Sequence, residues 1–157
     1  MAGLRDQPTN MNPLTDVQFK LDIGALPETT FFIQGCNIPG VTVSPNDIGI
    51  PKRSSGFGLP SGVIEYDTFN VTFMVDEYLK NWQEVYEWMV NNPSKTSCVL
   101  TVLSSSMNAT LEFHFDGIFP TNLSEIAFDS TTTDPTYVTG TITFQFSSYT
   151  IKRLVTT

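Results

Sequence analysis

The sequence predicts a mainly β fold: two antiparallel sheets forming a β-barrel or sandwich, with one flanking helix. Three observations carry this. Apolar and polar residues alternate with a period of two over several separate stretches. A helical period appears once, over about residues 76–91. A long segment, about 36–66, has no regular period yet is rich in proline, glycine and apolar residues. A chain of 157 residues is long enough for one domain with a buried core.

Residues 1–13 hold Gly3, Pro8, Asn10, Asn12 and Pro13 and read as a flexible arm, leaving 14–157 as a single β domain. From 16 to 23, Val17, Phe19, Leu21 and Ile23 face in while Asp16, Gln18, Lys20 and Asp22 face out, which predicts a strand. Gly24 to Pro27 turns the chain. Thr29 to Gln34 reads as a second strand hairpinned to the first.

The segment Cys36 to Tyr66 contains Pro39, Pro45, Pro51 and Pro60 among five glycines. Its apolar residues include Ile38, Val41, Val43, Ile48, Ile50, Phe57, Leu59, Val63 and Ile64, too many for a disordered linker. An excursion that packs on a neighbouring subunit accounts for both facts. It is the candidate contact surface.

Phe69, Val71, Phe73 and Val75 then alternate with Asn70, Thr72, Met74 and Asp76 in a strand with one buried face. At Asp76-Glu77 the period changes. Leu79, Trp82, Val85, Tyr86 and Met89 recur at three- and four-residue steps and form the expected packing face of a helix. Asp76 suits its N-cap, Glu77 the positive end of its dipole, and Pro93 its stop.

Thr96 to Leu103 reads as a strand covered on both faces. Leu111, Phe113 and Phe115 mark the next strand, which Gly117 to Asn122 is expected to break, and Ser124 to Asp129 reads as a short strand. A final long strand is expected over Tyr137 to Tyr149. Val138, Ile142, Phe144 and Phe146 lie on one side, and Thr139, Thr141, Thr143 and Gln145 form a polar ladder on the other.

Composition limits the function. Charged residues make up only 15%, against about a quarter in ordinary globular domains, and Ser, Thr and Asn replace them, as on surfaces that pack on other protein. The net charge is −8, with no basic cluster larger than Lys52-Arg53 and Lys152-Arg153, which excludes a nucleic-acid reader. Residues 1–13 lack the apolar segment of a signal peptide, and no apolar run reaches the roughly 20 residues of a membrane span. Cys36 and Cys98 have no metal or redox spacing and read as two buried thiols, with a single disulfide as the alternative.

No catalytic constellation is present. His114 is the single histidine and sits on a strand between Phe113 and Phe115, with Glu112 and Asp116 beside it, the setting of a surface residue. The glycines at 56, 58 and 62 lack the Lys-Ser or Lys-Thr of a phosphate loop, and the acids of residues 129–134 do not match a calcium loop. No enzyme activity, cofactor or metal is expected. Trp82 and Trp88 read as packing residues rather than a carbohydrate platform.

Several short motifs follow one another in a telling order. They are Asn12-Pro13-Leu14, Phe19 and Ile23, Leu26-Pro27, and Ile38-Pro39-Gly40-Val41 opening the excursion. Val71-Thr72-Phe73 follows, then Val75-Asp76-Glu77, Trp82, Trp88-Met89 and finally Gly117-Ile118-Phe119-Pro120-Thr121-Asn122-Leu123. Over about residues 12–151 the chain resembles the tail tube proteins of contractile-tailed, T4-like bacteriophages. Type VI secretion and pyocin tube proteins share that fold.

The resemblance implies hexameric rings that stack into a hollow tube through which DNA leaves the virion. The excursion would mediate stacking, with Ile48, Ile50, Phe57 and Leu59 in the ring-to-ring contact. Thr139, Thr141, Thr143 and Gln145 would line the lumen. A net-acidic protein with a hydroxyl- and amide-lined wall repels phosphate rather than holding it. The implied partners are other copies of the chain and the sheath, tape-measure, baseplate and tail-terminator proteins. DNA would pass without specific binding, and no membrane anchor is expected. The protein would be made in the host cytoplasm and located in the virion tail. The same fold also serves baseplate initiator rings, neck or terminator rings and injection-system tubes. A glycan-binding β-sandwich is the alternative from another class.

Overall fold

The computed structural model describes residues 13–14, 16–27, 29, 32–48, 57–91 and 93–154. The arm expected over 1–13 lies outside them apart from Pro13, as does Ile50. Among the described residues the main elements run in the order β1 (Phe19–Ile23), β2 (Ile33–Cys36), β3 (Val41–Ile48), β4 (Phe57–Tyr66), β5 (Phe69–Met74), α1 (Lys80–Asn91), β6 (Thr96–Leu103), β7 (Ala109–Leu123), β8 (Thr139–Gln145) and β9 (Ser148–Arg153), and Pro27 and Thr29 are helical where a strand was expected from Thr29.

All strand pairings are antiparallel. One seven-stranded path, β1-β6-β7-β8-β5-β2 with β9 also on β7, folds over into two layers, and β3 and β4 pair only with each other. The hinge is β7. Its first part pairs with β6 and, through Leu111–Asp116, with β9; its last part, Phe119–Leu123, pairs with β8. The first sheet is therefore β1-β6-β7-β9 and the second β7-β8-β5-β2. The path does not close, because its terminal strands β1 and β2 do not pair, so the architecture is a sandwich rather than a barrel.

The expected break at Gly117–Asn122 is instead a bend within a single 15-residue strand. Gly117 has φ 65° and takes the turn while Ile118 stays buried. A Cβ there would lie 2.7 Å from Ser147 Oγ. Gly117→Val should therefore destabilise the protein by about 1–3 kcal/mol through backbone strain, read as a fall in the urea midpoint. An unchanged midpoint would show that the bend does not depend on glycine.

Four other features differ from expectation. β2 begins at Ile33 and joins β5, not β1, because Leu26 is buried in the core and the chain crosses to the other sheet after Ile23. The long last strand divides at Phe146-Ser147: Ser147 N–H donates to the Asp116 carbonyl at 2.9 Å, and β9 continues along β7 in the first sheet. Residues 124–129 form no strand, although Ser124 still bonds to Thr141 through its N–H and its hydroxyl oxygen. Val17, expected inside, is 76% exposed, since β1 starts only at Phe19.

Between the layers, Leu21, Ile23, Phe69, Val71, Phe73, Cys98, Leu100, Phe113, Phe115, Ile142 and Phe144 are buried. Phe69 of one sheet stacks on Phe115 of the other at 4.7 Å between ring centres. Cys36 and Cys98 are free thiols. Burial pushes the Cys36 thiol up to about 11, and burial, then the nearby Cys36 and Asp22, push Cys98 further still. At pH 8 a disulfide reagent should react with Cys36 about a hundredfold more slowly than with free cysteine. Reaction at the free-cysteine rate in the folded protein would contradict this.

The helix starts at Lys80, not 76. Asp76 Oδ1 accepts the Tyr78 N–H at 2.8 Å and the Asp76 carbonyl accepts the Leu79 N–H, so Asp76 caps a preceding turn. Leu79, at φ 55°, ends that turn, and its carbonyl accepts the Gln83 N–H at 2.9 Å to open the helix.

Candidate assembly surfaces

The hairpin β3-β4 is the excursion that the sequence marked. Residues 41–46 are all exposed and so are 58–60 and 62–65, on both faces of the ribbon. Val41, Val43, Leu59, Val63 and Ile64 display aliphatic surface there. A two-stranded ribbon without a covered face is marginal in water. Its base, by contrast, is tied down. Asp67 N–H donates to the Gly40 carbonyl at 3.0 Å. The Asn37 amide donates to the Thr68 carbonyl at 3.1 Å and accepts the Asn70 N–H at 2.6 Å. The Tyr149 hydroxyl donates to the Pro39 carbonyl at 3.3 Å, and the Tyr66 ring lies 5.4 Å from Phe146 and 5.2 Å from Tyr149. Of the four stacking candidates, Ile48 pairs with Phe57 and Leu59 with Asn46, which places three of them at the far part of the ribbon.

The outward face of the second sheet carries Thr139, Thr141, Thr143 and Gln145 on β8, alternating with buried Gly140, Ile142 and Phe144. Across the ladder, Thr143 faces Asn70, Thr141 faces Thr72 and Thr139 faces Met74. The Thr143 hydroxyl donates to Asn70 Oδ1 at 2.9 Å, and the Thr121 hydroxyl donates to the Thr143 carbonyl at 3.1 Å. Every one of these outward side chains on β5 and β8 is uncharged. The outward face of the first sheet is the opposite, with Lys20 and Asp22 on β1, Glu112, His114 and Asp116 on β7, and Lys152 on β9. The two faces cannot serve the same contact. A neutral wall offers a polyanion neither a counter-ion site nor strong repulsion at short range.

His114 belongs to that charged face. Its Nε2 lies 2.9 Å from Glu112 Oε2, and the pair sits on the outside of the sheet. Among the described residues no group of three His, Cys, Asp or Glu side chains is placed to hold a metal ion, and no helix is long and apolar enough to cross a membrane.

The helix covers the core with a face centred differently from the expected one. Asn81, Val85 and Trp88 are buried. Trp82 and Met89 pack on the core half-buried, Leu79 is half-buried, and Tyr86 is exposed and stacked on Trp82 at 5.8 Å. The shift follows from two polar satisfactions that periodicity does not reveal. Asn81 Oδ1 accepts the N–H groups of Trp82 and Asp76, and its Nδ2 donates to the Met74 carbonyl at 2.7 Å. The Trp88 indole N–H donates to the Ser94 carbonyl at 2.9 Å, so its ring can be buried at no polar cost. The Trp82 indole N–H is also occupied, by the Ser124 carbonyl at 3.3 Å.

No protein-family model matches the chain. The fold is that of the tube terminating cap of the anti-feeding prophage, with a TM-score of 0.73 at 18% identity over 98% of this chain and 99% of that one. The sheath/tube terminator of the PVC extracellular contractile injection system gives 0.69 at 15% identity, covering 90% and 97%. The sheath–tube complex of that system gives 0.70 at 14% identity, covering 92% and 94%. In sequence, the chain is 31% identical over 137 residues to the tail tube terminator protein of Enterobacteria phage T4, covering 74% of this chain and 76% of that protein. The expected kinship with tail tubes is thereby refined from the tube protein to a terminator, and the chain belongs to the family of the T4 tail tube terminator protein.

Proposed function

We propose that this chain forms a hexameric ring that ends the inner tube of a contractile phage tail. The observation that carries this reading is the 31% identity to the T4 tail tube terminator protein across about three quarters of both chains. The neutral face of Thr139, Thr141, Thr143, Gln145, Asn70 and Thr72 is its channel wall, past which DNA slides during ejection without being held. Open strand edges at β2 and at the last part of β7 are the surfaces that ring closure would cover. The hairpin contacts the adjacent ring through Ile48, Ile50, Phe57 and Leu59. Sheath, tape-measure and neck or baseplate proteins are the partners of such a ring, its place is the virion tail, and its role is structural rather than catalytic.

A main tube subunit is the second reading, favoured by the likeness to a chain of a sheath–tube complex at a TM-score of 0.70. Gold-labelled antibody against this chain on intact tails separates the two. Label confined to one end of the tail is the expected result, and label along the whole tube would overturn the terminator position.

A further inference from the structure

The two ends of the second sheet differ. The ribbon leaves β2 at Cys36 and rejoins β5 at Phe69, so it projects from the end marked by Phe69 and its partner Phe144. Met74 and Thr139 mark the other end, about 20 Å away along the six residues of β5. There the Val75 N–H donates to the Val138 carbonyl at 2.9 Å and joins the turn before α1 to the loop that precedes β8. Leu79 closes that turn at φ 55°, a conformation disfavoured for any residue with a Cβ and most often kept where a surface makes contacts.

Between that turn and that loop lies a groove of about 240 Å³, lined by Val75, Leu79, Ile126, Phe128, Tyr137 and Val138. Phe128 is 80% exposed and Tyr137 84%, and Tyr78, in the turn itself, is 74% exposed. Aromatic rings this open contribute little to the isolated subunit; around an apolar groove they are the composition of an anchor site for protein. The rim is acidic. Asp76 and Glu77 belong to the lining, and residues 124–136, which form one wall, add Glu125, Asp129 and Asp134 with no base among them. Hydrogen bonds from the Thr131 hydroxyl and N–H hold the Asp129 carboxyl below its usual range. Lys80 is the base nearby, with its ammonium over the Tyr78 ring, 5.9 Å from the ring centre.

We propose that this groove is the docking site for a basic, apolar-anchored segment of a protein other than this chain. Such a segment carries lysine or arginine on either side of one large aliphatic or aromatic residue. Charge complementarity selects that chemistry. A surface apolar at its floor and negative at its rim attracts a cationic segment and repels both nucleic acid and acidic protein. With a net charge of −8, this chain is itself an acidic protein, so a second copy is a poor occupant. Placement selects an unlike partner as well. The inference rests on the terminator reading above: in a ring that ends a tube, the ribbon end meets the tube and the groove end meets the protein that comes next. A ring repeats the groove once per subunit, so a modest single contact is multiplied.

The test is selection of displayed random peptides on the immobilised full chain, followed by synthesis of the most enriched peptide and its titration by fluorescence anisotropy. Enriched peptides that combine lysine or arginine with a large apolar anchor, and whose affinity falls as salt rises, are the expected result. Phe128→Ser with Tyr137→Ser should weaken binding of the synthesised peptide at least about tenfold. Glu77→Lys with Asp134→Lys should weaken it as well, and the same peptide with glutamate for each basic residue should bind this charge-reversed chain more tightly than the parent. Both aromatics are largely exposed, so the sandwich folds without them, and the charge reversal leaves the apolar floor of the groove intact. No enrichment, enriched peptides without a basic bias, equal affinity for the aromatic variant, or no recovery with the charge-swapped peptide would each overturn the site. Sedimentation of the chain alone tests the other occupant: if the aromatic substitutions abolish association between copies, the groove belongs to a second copy and the unlike partner is overturned. Peptide binding as predicted, by a chain that forms no rings, would support the groove and overturn the ring reading instead.

Discussion

Replacing Phe69 with alanine should cost about 3–5 kcal/mol, a third or more of the stability of an ordinary domain. The ring is fully buried, stacks on Phe115 across the two layers, lies 6.0 Å from Phe144 and pairs with that residue along the ladder. It therefore links three strands, and the cavity left by its removal cannot collapse without moving both sheets. Urea unfolding should show a lower midpoint with an unchanged slope. A loss below about 1 kcal/mol would mean that the layers are not packed as described.

The second large effect concerns assembly. Ile48→Asp with Leu59→Asp, on the far part of the ribbon, should give subunits that fold and close rings but do not stack. Two carboxylates placed in a desolvated contact cost several kcal/mol against an interface that depends on a few apolar anchors. The monomer has little to lose, since Leu59 is exposed in the isolated subunit. Circular dichroism and thermal unfolding matching the parent, together with rings that remain single under conditions where the parent's rings stack, would meet the expectation. Stacks like the parent's would remove the ribbon from the ring-to-ring contact.

Much of this architecture was legible in the sequence because it is local. The alternation at Leu21 and Ile23, at Phe69, Val71 and Phe73, and at Ile142 and Phe144 gives strands whose inner residues are buried as read. The ribbon was marked by apolar residues lacking a period, and Val41, Val43, Val63 and Ile64 are indeed exposed. Partner choice was not legible. A period of two says which face is buried but not which strand lies alongside, so β2 was read as the neighbour of β1 when it pairs with β5. Gly117 looked like a break because glycine ends strands more often than it bends them, yet here one residue at φ 65° carries β7 from one sheet to the other. The last strand read as continuous, whereas the change of sheet at Ser147 depends on a bond to Asp116, 31 positions earlier. On the helix, Asn81 was missed because a polar residue breaks an apolar stripe, although its three hydrogen bonds make burial favourable.

The surfaces divide in the same way. Thr139, Thr141, Thr143 and Gln145 could be seen as one polar ladder, but their uncharged neighbours on β5 become visible only with the register. Phe128 and Tyr137 were read within the strands expected over 124–129 and 137–149, neither of which includes them in the structure. Their exposure at the end opposite the ribbon follows from tertiary placement alone.

The account turns on the chain being a ring-forming member of the tail-tube fold, and negative-stain electron microscopy of the purified protein tests that most directly. Six-fold rings with an open channel, single or stacked, are the predicted result. A monodisperse monomer at every concentration, with no rings, would contradict it.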